Sequence, residues 1–127
     1  MKKIRVIQIG IGHDHAIDIL DSVVHMTDVF EVAALAVPEN EKAAFADKIE
    51  ICTQKMGVNL ISAEEALQMD GIDAAIIETE EVNLCKYARM AAEKGLHVHM
   101  DKPGSAVYGE FGQLVTLLKE KTLVFSM

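Results

Sequence analysis

Short apolar runs alternate with longer segments of helical periodicity along the whole chain, and this alternation limits the fold more than any other feature. The runs are typical of buried strands, whereas the segments between them carry apolar residues at every third or fourth position. Strands alternating with helices form right-handed crossover units. The sequence therefore predicts an α/β fold, a doubly wound, mostly parallel, Rossmann-like sheet with helices on both faces. The predicted strands are Ile4–Gly10, Phe30–Val37, Val58–Ser62, Ile72–Ile77, Leu96–Met100 and a sixth that opens in TLVFSM.

The bulk properties of the chain bound its class. At 127 residues it has the length of one domain, and because it ends inside an apolar strand we expect a fragment of a longer protein. A net charge of -8 argues against nucleic-acid and membrane partners. No run approaches the ~18 apolar residues of a membrane span. Cys52 and Cys85 are far apart, which favours free thiols and a cytoplasmic location.

A glycine turn follows the first predicted strand, in the segment IGIGHDHA. Gly10 and Gly12 match the first two glycines of the dinucleotide fingerprint G-x-G-x-x-G, and His15 stands in the third place. The free N–H groups of residues 11–15 are then expected to face a phosphate at the start of a helix. An α/β domain also needs a turn after its first strand for purely structural reasons, so both interpretations stay open.

The second strand lacks the acidic residue that usually binds the ribose hydroxyls of a dinucleotide. Val37 occupies that place, and Glu39 either replaces the acid or serves as a first-turn acid of the next helix. No arginine follows to receive a 2′-phosphate, and Lys42 is the nearest cation. These residues predict NAD or NADP as cofactor, with weak discrimination that leans to NAD.

The segment GLHVHMDKPGS brings charged residues to the carboxyl end of the fifth strand. Asp101, Lys102 and Pro103 lie where open α/β sheets bind their ligands. Proline disfavours helix at Lys102, so the lysine side chain is expected to project from the strand end. It could there hold a substrate oxygen or carry a proton. An isolated lysine in a surface turn is the alternative.

The segments IQIGIGHDHA, DAAIIETEE and AAEKGLHVHMDKPGS, in this order and spacing, resemble the N-terminal Rossmann domain of the Gfo/Idh/MocA oxidoreductases over the whole chain. The resemblance implies that Lys102 is catalytic and lies beside the nicotinamide and a small-molecule substrate, with Thr79 along the cofactor. It implies dinucleotide binding by a set of residues in the glycine turn and at the two strand ends: Gly10, Ile11, Gly12, His13, Asp14, His15, Thr79, Asp101, Lys102 and Pro103.

The chain also departs from the family pattern. Asp101 replaces the family's glutamate, and Glu80 and Glu81 stand where proline and asparagine are usual, so their charges would repel phosphates unless they point away. The family's second domain, which supplies substrate contacts and most of a homo-oligomer interface, is absent from residues 1–127. We therefore expect a cofactor-binding domain of an oxidoreductase acting on a sugar, polyol or related molecule, inactive alone. The alternative is a non-catalytic ligand-binding or regulatory module.

Histidines raise the question of a metal. His97 and His99 share one face of a strand, but without a third ligand at readable spacing they are expected to pack under a helix. His13 and His15 could chelate, yet the positive end of a helix opposes a cation. The sequence therefore predicts no metal site, and Cys85 is interpreted as a packing residue.

Overall fold

A computed structural model describes residues 2–105 and 109–127. Its strands, in chain order, are β1 Ile4–Ile9, β2 Phe30–Ala36, β3 Leu60–Ile61, β4 Ala74–Ile77, β5 His97–Met100 and β6 Phe125–Ser126. Its helices are α1 Ala16–His25, α2 Glu39–Lys42, α3 Ala46–Glu50, α4 Ala63–Gln68, α5 Leu84–Glu93 and α6 Glu110–Glu120. A π-helical turn, Ile51–Lys55, continues α3, and a 3₁₀ turn, Glu81–Asn83, precedes α5.

The strands form one six-stranded sheet in the order β3-β2-β1-β4-β5-β6. Every neighbouring pair is parallel, which confirms the predicted α/β fold and sharpens "mostly parallel" to entirely parallel. The order reverses between β1 and β4, because the chain first winds outward to β3 and then returns to the other side of β1. Such a switch point leaves a crevice at the carboxyl ends of the two central strands.

Two apolar clusters cover the two faces of the sheet, as predicted. One lies under α4, α5 and α6, where Leu84, Ala88 and Ala91, which helical spacing places on one face of α5, are fully buried. The other lies under α1, where Ala16 and Leu20 pack with residues of β2 and the segment after it. Burial of apolar side chains on both faces explains why the strands read as continuous apolar runs.

Local signals at the helix ends are confirmed. Serine followed three residues later by glutamate, as at Ser62 and Glu65, predicts a capping box. The structure confirms it: the Ser62 hydroxyl accepts the Glu65 N–H at 3.1 Å, and the Glu65 carboxylate accepts the Ser62 N–H at 3.3 Å. Gly95 follows α5 with φ of +81°, a conformation that ends the helix at low cost. Among the described residues no helix combines the length and apolar character that a membrane crossing requires.

Two local predictions are wrong. The alanine-rich segment ENEKAAFADKIE after Pro38 has the pattern of a single helix, but the helix breaks at Phe45, whose backbone leaves the helical region at φ -122° and ψ 31°. Phe45 instead packs into the cluster under α1. His97 and His99 were expected under a helix, yet they contact the chain around β6: Nδ1 of His97 accepts the Val124 N–H at 3.0 Å, and Nδ1 of His99 lies 2.7 Å from the Ser126 hydroxyl.

Candidate functional site

A crevice of about 310 Å³ opens at the switch point, between the turn after β1 and the segment after β4. It lies where ligands bind in open parallel sheets. Both segments are held by the sheet, because the Glu78 N–H donates to Ile9 O at 2.8 Å and the His13 N–H donates to Glu78 O at 3.0 Å. The crevice is lined by Gly12, His13, Asp14, Glu80, Glu81 and Val82.

The first glycine of the turn is required by its backbone and its surroundings. Gly10 has φ of +100°, and a Cβ at this position would overlap the backbone of Thr79. The fully buried Gln8 stabilises the turn, because its amide nitrogen donates to Gly10 O and Ala16 O, each at 3.2 Å. Thr79 is itself fully buried, so its side chain supports the turn from behind.

A carboxylate of the protein already binds the amides of the glycine turn. One oxygen of Glu41 accepts the N–H groups of Ile11 and Gly12, each at 2.9 Å, and the other accepts the Glu80 N–H at 2.9 Å. Glu41 is fully buried. The turn is therefore an anion-binding nest of the kind that holds phosphates, and in this structure its anion comes from α2.

The next amides of the turn also have partners within the chain. The His13 N–H donates to Glu78 O, and the His15 N–H lies 3.2 Å from Nδ1 of His13. Lys48 reaches over from α3 and donates to Ile11 O at 3.4 Å and His13 O at 3.2 Å. The expectation that the N–H groups of residues 11–15 are free is thus not met for Ile11, Gly12, His13 and His15.

The second glycine is crowded by side chains. A Cβ on Gly12 would lie 2.7 Å from Cγ of Glu80 and 3.0 Å from the ring of Phe45. Asp14 and Glu81 are exposed on the same crevice. Gly12 thus permits a ligand to approach the backbone closely, as the fingerprint requires, but the carboxyl groups of Glu80, Asp14 and Glu81 border the space.

The segment Asp101–Pro103 lies on the other side of the turn. Nε2 of His13 is 2.9 Å from Lys102 O, and because a carbonyl only accepts, this nitrogen donates and carries the proton. The Lys102 side chain is exposed, as predicted for a residue at the strand end, and the Lys102–Pro103 peptide is cis. The structure therefore brings the glycine turn and the D-K-P segment into direct contact.

Two acidic residues meet beneath this contact. Burial of the fully enclosed Glu78 raises its pKa to about 9, and the neighbouring Asp101 carboxylate adds to the shift. Burial also acts to raise the pKa of Asp101, but the neighbouring Glu78, the hydrogen bond from the Lys102 N–H and the charges of His13 and His15 outweigh it and lower the pKa. At neutral pH the pair therefore holds one proton, on Glu78.

The structure brings together most of the residues that the sequence singled out, and it adds two. The turn residues 10–15 and Asp101–Pro103 form one site, with Thr79 behind it. Glu41 and Glu78 were missed. Glu41 lies four residues before the apolar Phe45, so helical spacing places the two side chains on the same side of this segment. The sequence could therefore have indicated that Glu41 points inward. Glu78 directly follows the apolar run of β4, and its burial depends on the long-range cover of Asp101 and His13.

The parallel sheet with this strand order, a glycine turn at the switch point and a charged segment after β5 define a Rossmann-type domain of the dinucleotide-binding class. Residues 4–127 match the oxidoreductase family with an NAD-binding Rossmann fold, Gfo/Idh/MocA. The chain belongs to this family, which confirms the resemblance of its motifs. No curated protein matches the chain.

Solved structures share the fold over nearly the whole chain. An NAD-binding protein from Listeria innocua has 24% identity and a TM-score of 0.78, covering 98% of this chain and 34% of that one. Myo-inositol 2-dehydrogenase from Lactobacillus plantarum has 19% identity and a TM-score of 0.81, covering 98% and 36%. A 3-ketoreductase from Actinomadura kijaniata, in complex with TDP-benzene and NADP, has 22% identity and a TM-score of 0.78, covering 98% and 36%. The chain thus spans about a third of their lengths.

Proposed function

We propose that this chain is the N-terminal cofactor-binding domain of an NAD(P)-dependent oxidoreductase that acts on a sugar, polyol or related small molecule. The observation that carries the proposal is the contact between the glycine turn and the D-K-P segment, made by Nε2 of His13 and Lys102 O at the switch point. The similar structures named for a myo-inositol dehydrogenase and a 3-ketoreductase support the substrate class. Substrate contacts would come from a second domain beyond residues 1–127.

The backbone of the site fits a dinucleotide. Gly10 allows the tight turn, and the amides of Ile11 and Gly12 form an anion nest that already binds a carboxylate. A pyrophosphate would take the place of this carboxylate on the same amides, so binding requires Glu41 to withdraw. When bound, the nicotinamide would supply hydride transfer. In this proposal Lys102 orients the substrate or carries its proton, and Asp101 and Pro103 fix the lysine at the strand end.

Calorimetric titration with NAD, NADH, NADP and NADPH tests the proposal. We expect binding of at least one nucleotide, and about 3- to 10-fold tighter binding by Glu80→Gln, because this change removes a charge beside Gly12 without shortening the side chain. Glu120→Gln, on exposed α6, is the matched control and should leave affinity unchanged. Equal affinities of the Glu80→Gln variant and the wild type would show that the phosphates do not lie near Gly12.

We further propose a preference for NAD over NADP. Val37 is fully enclosed at 1% exposure and offers no cation to a 2′-phosphate. Lys42, the nearest cation in sequence, forms an ion pair with Glu39 at 3.0 Å, which supports the role of Glu39 as a first-turn helix acid. The discrimination should be weak, since no carboxylate at the end of β2 rejects the phosphate. A hundredfold preference for NADP in the same titrations would overturn this inference.

One observation favours a second function, a non-catalytic ligand-binding or regulatory module. The Glu41 carboxylate is fully buried and accepts three N–H groups, so the anion nest is satisfied without any ligand. If this arrangement is permanent, none of the four nucleotides should bind at millimolar concentration, and Glu41→Ala should not create binding. Tighter nucleotide binding by Glu41→Ala would instead show that Glu41 competes with a pyrophosphate for the same amides.

We also propose a reducing, cytoplasmic location and a homo-oligomeric parent protein. Cys52 and Cys85 are both unpaired and buried, which supports a compartment where thiols stay reduced. Thiol titration of the denatured protein isolated from cells checks the first point: two free thiols are expected. Light scattering of the parent protein checks the second.

A further inference from the structure

Two imidazoles and a carboxylate converge behind the glycine turn. Oδ2 of Asp101 lies 3.4 Å from Nδ1 of His13 and 3.3 Å from Nδ1 of His15. One possible ligand atom from each of His13, His15 and Asp101 lies within 4.8 Å of the other two. Tetrahedral coordination at Zn–N and Zn–O distances of about 2.0–2.1 Å separates neighbouring ligand atoms by about 3.3–3.4 Å. The Asp101 contacts therefore have the length of edges of a metal coordination shell.

Hydrogen bonds behind the ligands orient the ring of His13 and the carboxylate of Asp101. Nε2 of His13 donates to Lys102 O at 2.9 Å, so in the neutral ring Nδ1 carries the lone pair, and an ion bound there would replace the His15 N–H, which lies 3.2 Å from Nδ1. Oδ1 of Asp101 accepts the Lys102 N–H at 2.9 Å, which leaves Oδ2 facing the histidines. Metal-binding histidines and carboxylates are usually oriented by such outer hydrogen bonds. Here the strand end after β5 supplies both.

Glu78 gives an independent sign of a missing partner. Its side chain is fully buried, and neither carboxyl oxygen accepts a hydrogen bond from a described donor. Oε2 lies 3.7 Å from Nδ1 of His13, so the carboxyl group points into the same cluster. A buried carboxyl group that lacks a hydrogen-bond donor is energetically unfavourable. Nδ1 of His13, which lies beside Glu78, and Oδ2 of Asp101, which lies 3.4 Å from that nitrogen, are acceptors themselves. A cation between them satisfies all of these atoms at once.

The charge at the site favours a cation despite the helix. His15 is the N-cap of α1, whose N-terminus carries roughly half a positive charge. The Asp101 carboxylate supplies one negative charge 3.4 Å from Nδ1 of His13 and 3.3 Å from Nδ1 of His15. This charge exceeds the half charge of the helix N-terminus. His15 is 55% exposed, so an ion can enter from solvent.

We propose that His13, His15 and Asp101 bind a divalent transition-metal ion of the Zn²⁺ class, with Glu78 as a fourth ligand. Two imidazoles with carboxylates suit Zn²⁺, Fe²⁺, Co²⁺ and Ni²⁺ rather than Mg²⁺ or Ca²⁺, which prefer oxygen ligands alone. The ion would join the glycine turn to the D-K-P segment. Metal binding at this site does not require a nucleotide, so it can be tested independently of the proposed cofactor.

The test is calorimetric titration of the chain with ZnCl₂, without a histidine tag and after dialysis against EDTA. We expect one Zn²⁺ per chain, and binding at least 30-fold weaker for His15→Ala, whose exposed side chain can be removed without disturbing the core. His25→Ala is the matched control, because Nδ1 of His25 also lies 3.4 Å from a carboxylate, that of Asp21, but no second histidine joins that pair. It should bind as the wild type does.

Co²⁺ provides a readout of the ligands themselves. The Co²⁺-loaded chain should show the intense visible absorption of a four-coordinate site, and Glu78→Gln should shift the band while folding is retained. Competition with MgCl₂ should not displace the ion. No Zn²⁺ binding by the wild type, or equal affinities of His15→Ala and the wild type, would overturn the site. An unchanged Co²⁺ spectrum in Glu78→Gln would remove Glu78 from the ligand set.

Discussion

The carboxylate of Glu41 accepts the backbone N–H of Gly12 at 2.9 Å and thereby ties α2 to the glycine turn after β1. The same group binds the amides of Ile11 and Glu80, so one buried side chain connects three segments that are distant in sequence. The Glu41 carboxylate accepts the same N–H groups that would bind a pyrophosphate in the dinucleotide fingerprint. The turn therefore has its conformation without a ligand.

Replacing Glu41 should therefore cost stability. Glu41→Ala leaves three N–H groups without their acceptor, and each buried unpaired donor costs about 1–3 kcal/mol. Since solvent will reach some of these groups, we expect a loss of about 3 kcal/mol in the free energy of unfolding, measured with urea. Glu39→Gln, on an exposed side chain that forms an ion pair with Lys42, should change this free energy by less than about 0.5 kcal/mol. Similar losses in both variants would contradict the assigned role of Glu41.

The first glycine should be intolerant of any side chain. Gly10→Ala forces an L-residue to φ of +100° and drives its Cβ into Thr79, so we expect a loss of at least about 2 kcal/mol in stability. Gly112→Ala is the matched control: it lies in the exposed part of α6, where a Cβ meets nothing within 4 Å. That change should be neutral or stabilising by up to about 1 kcal/mol. The thermal unfolding midpoint should fall for Gly10→Ala and should stay unchanged or rise for Gly112→Ala.

Lys102 should matter for chemistry more than for holding the dinucleotide. In a catalytically active protein that contains this chain, Lys102→Ala should lower kcat by ~100-fold or more, the scale of a general acid–base group. Cofactor affinity should change by less than ~10-fold. Gly12→Asp should show the reverse, because it places a carboxylate in the crowded space beside Glu80. Intact turnover in Lys102→Ala would show that the lysine is only a turn residue.

Cys85 should make the fold sensitive to alkaline pH. Burial raises the pKa of its thiol to about 11, with the charge of Glu110 adding to the shift, against 9.0 for an ordinary cysteine. The folded protein thus keeps the proton at a pH where the unfolded chain loses it, so stability falls as pH rises from 9 to 11.

A comparison of wild type with Cys85→Ala isolates this effect, because Cys52 and Tyr87, whose pKa values are also raised by burial, are common to both. The stability difference between the two proteins should shift in favour of the variant by up to about 2–3 kcal/mol over that range. Urea unfolding at several pH values measures it. A difference that does not depend on pH would show that the thiol ionises normally in the folded state.

Local sequence patterns were sufficient to predict the strands and the covered faces. Each strand lies within its predicted run, because a fully buried parallel strand reads as an apolar segment whatever its neighbours are. The capping box at Ser62 and the helix stop at Gly95 depend only on adjacent residues, and both are present. The helix after Pro38 was predicted too long, because the inward packing of Phe45 against the glycine turn overrides helical propensity.

The candidate site was predictable in place but not in its contacts. The ends of β1 and β5 follow from the strand pattern, so the turn and the D-K-P segment were found from the sequence. Glu41 and Glu78 contact this site from positions that are distant in the sequence, and helical or strand periodicity gives no information about such long-range contacts. Their roles depend on how α2 and β4 pack, and only three-dimensional coordinates supply that.

The hydrogen bond from His13 to Lys102 O joins the glycine turn to the D-K-P segment on its other side. If a ligand at one of these segments changes this bond, it also changes the affinity for a ligand at the other, and linkage requires that the two effects be the same factor. The path for such coupling is a single imidazole.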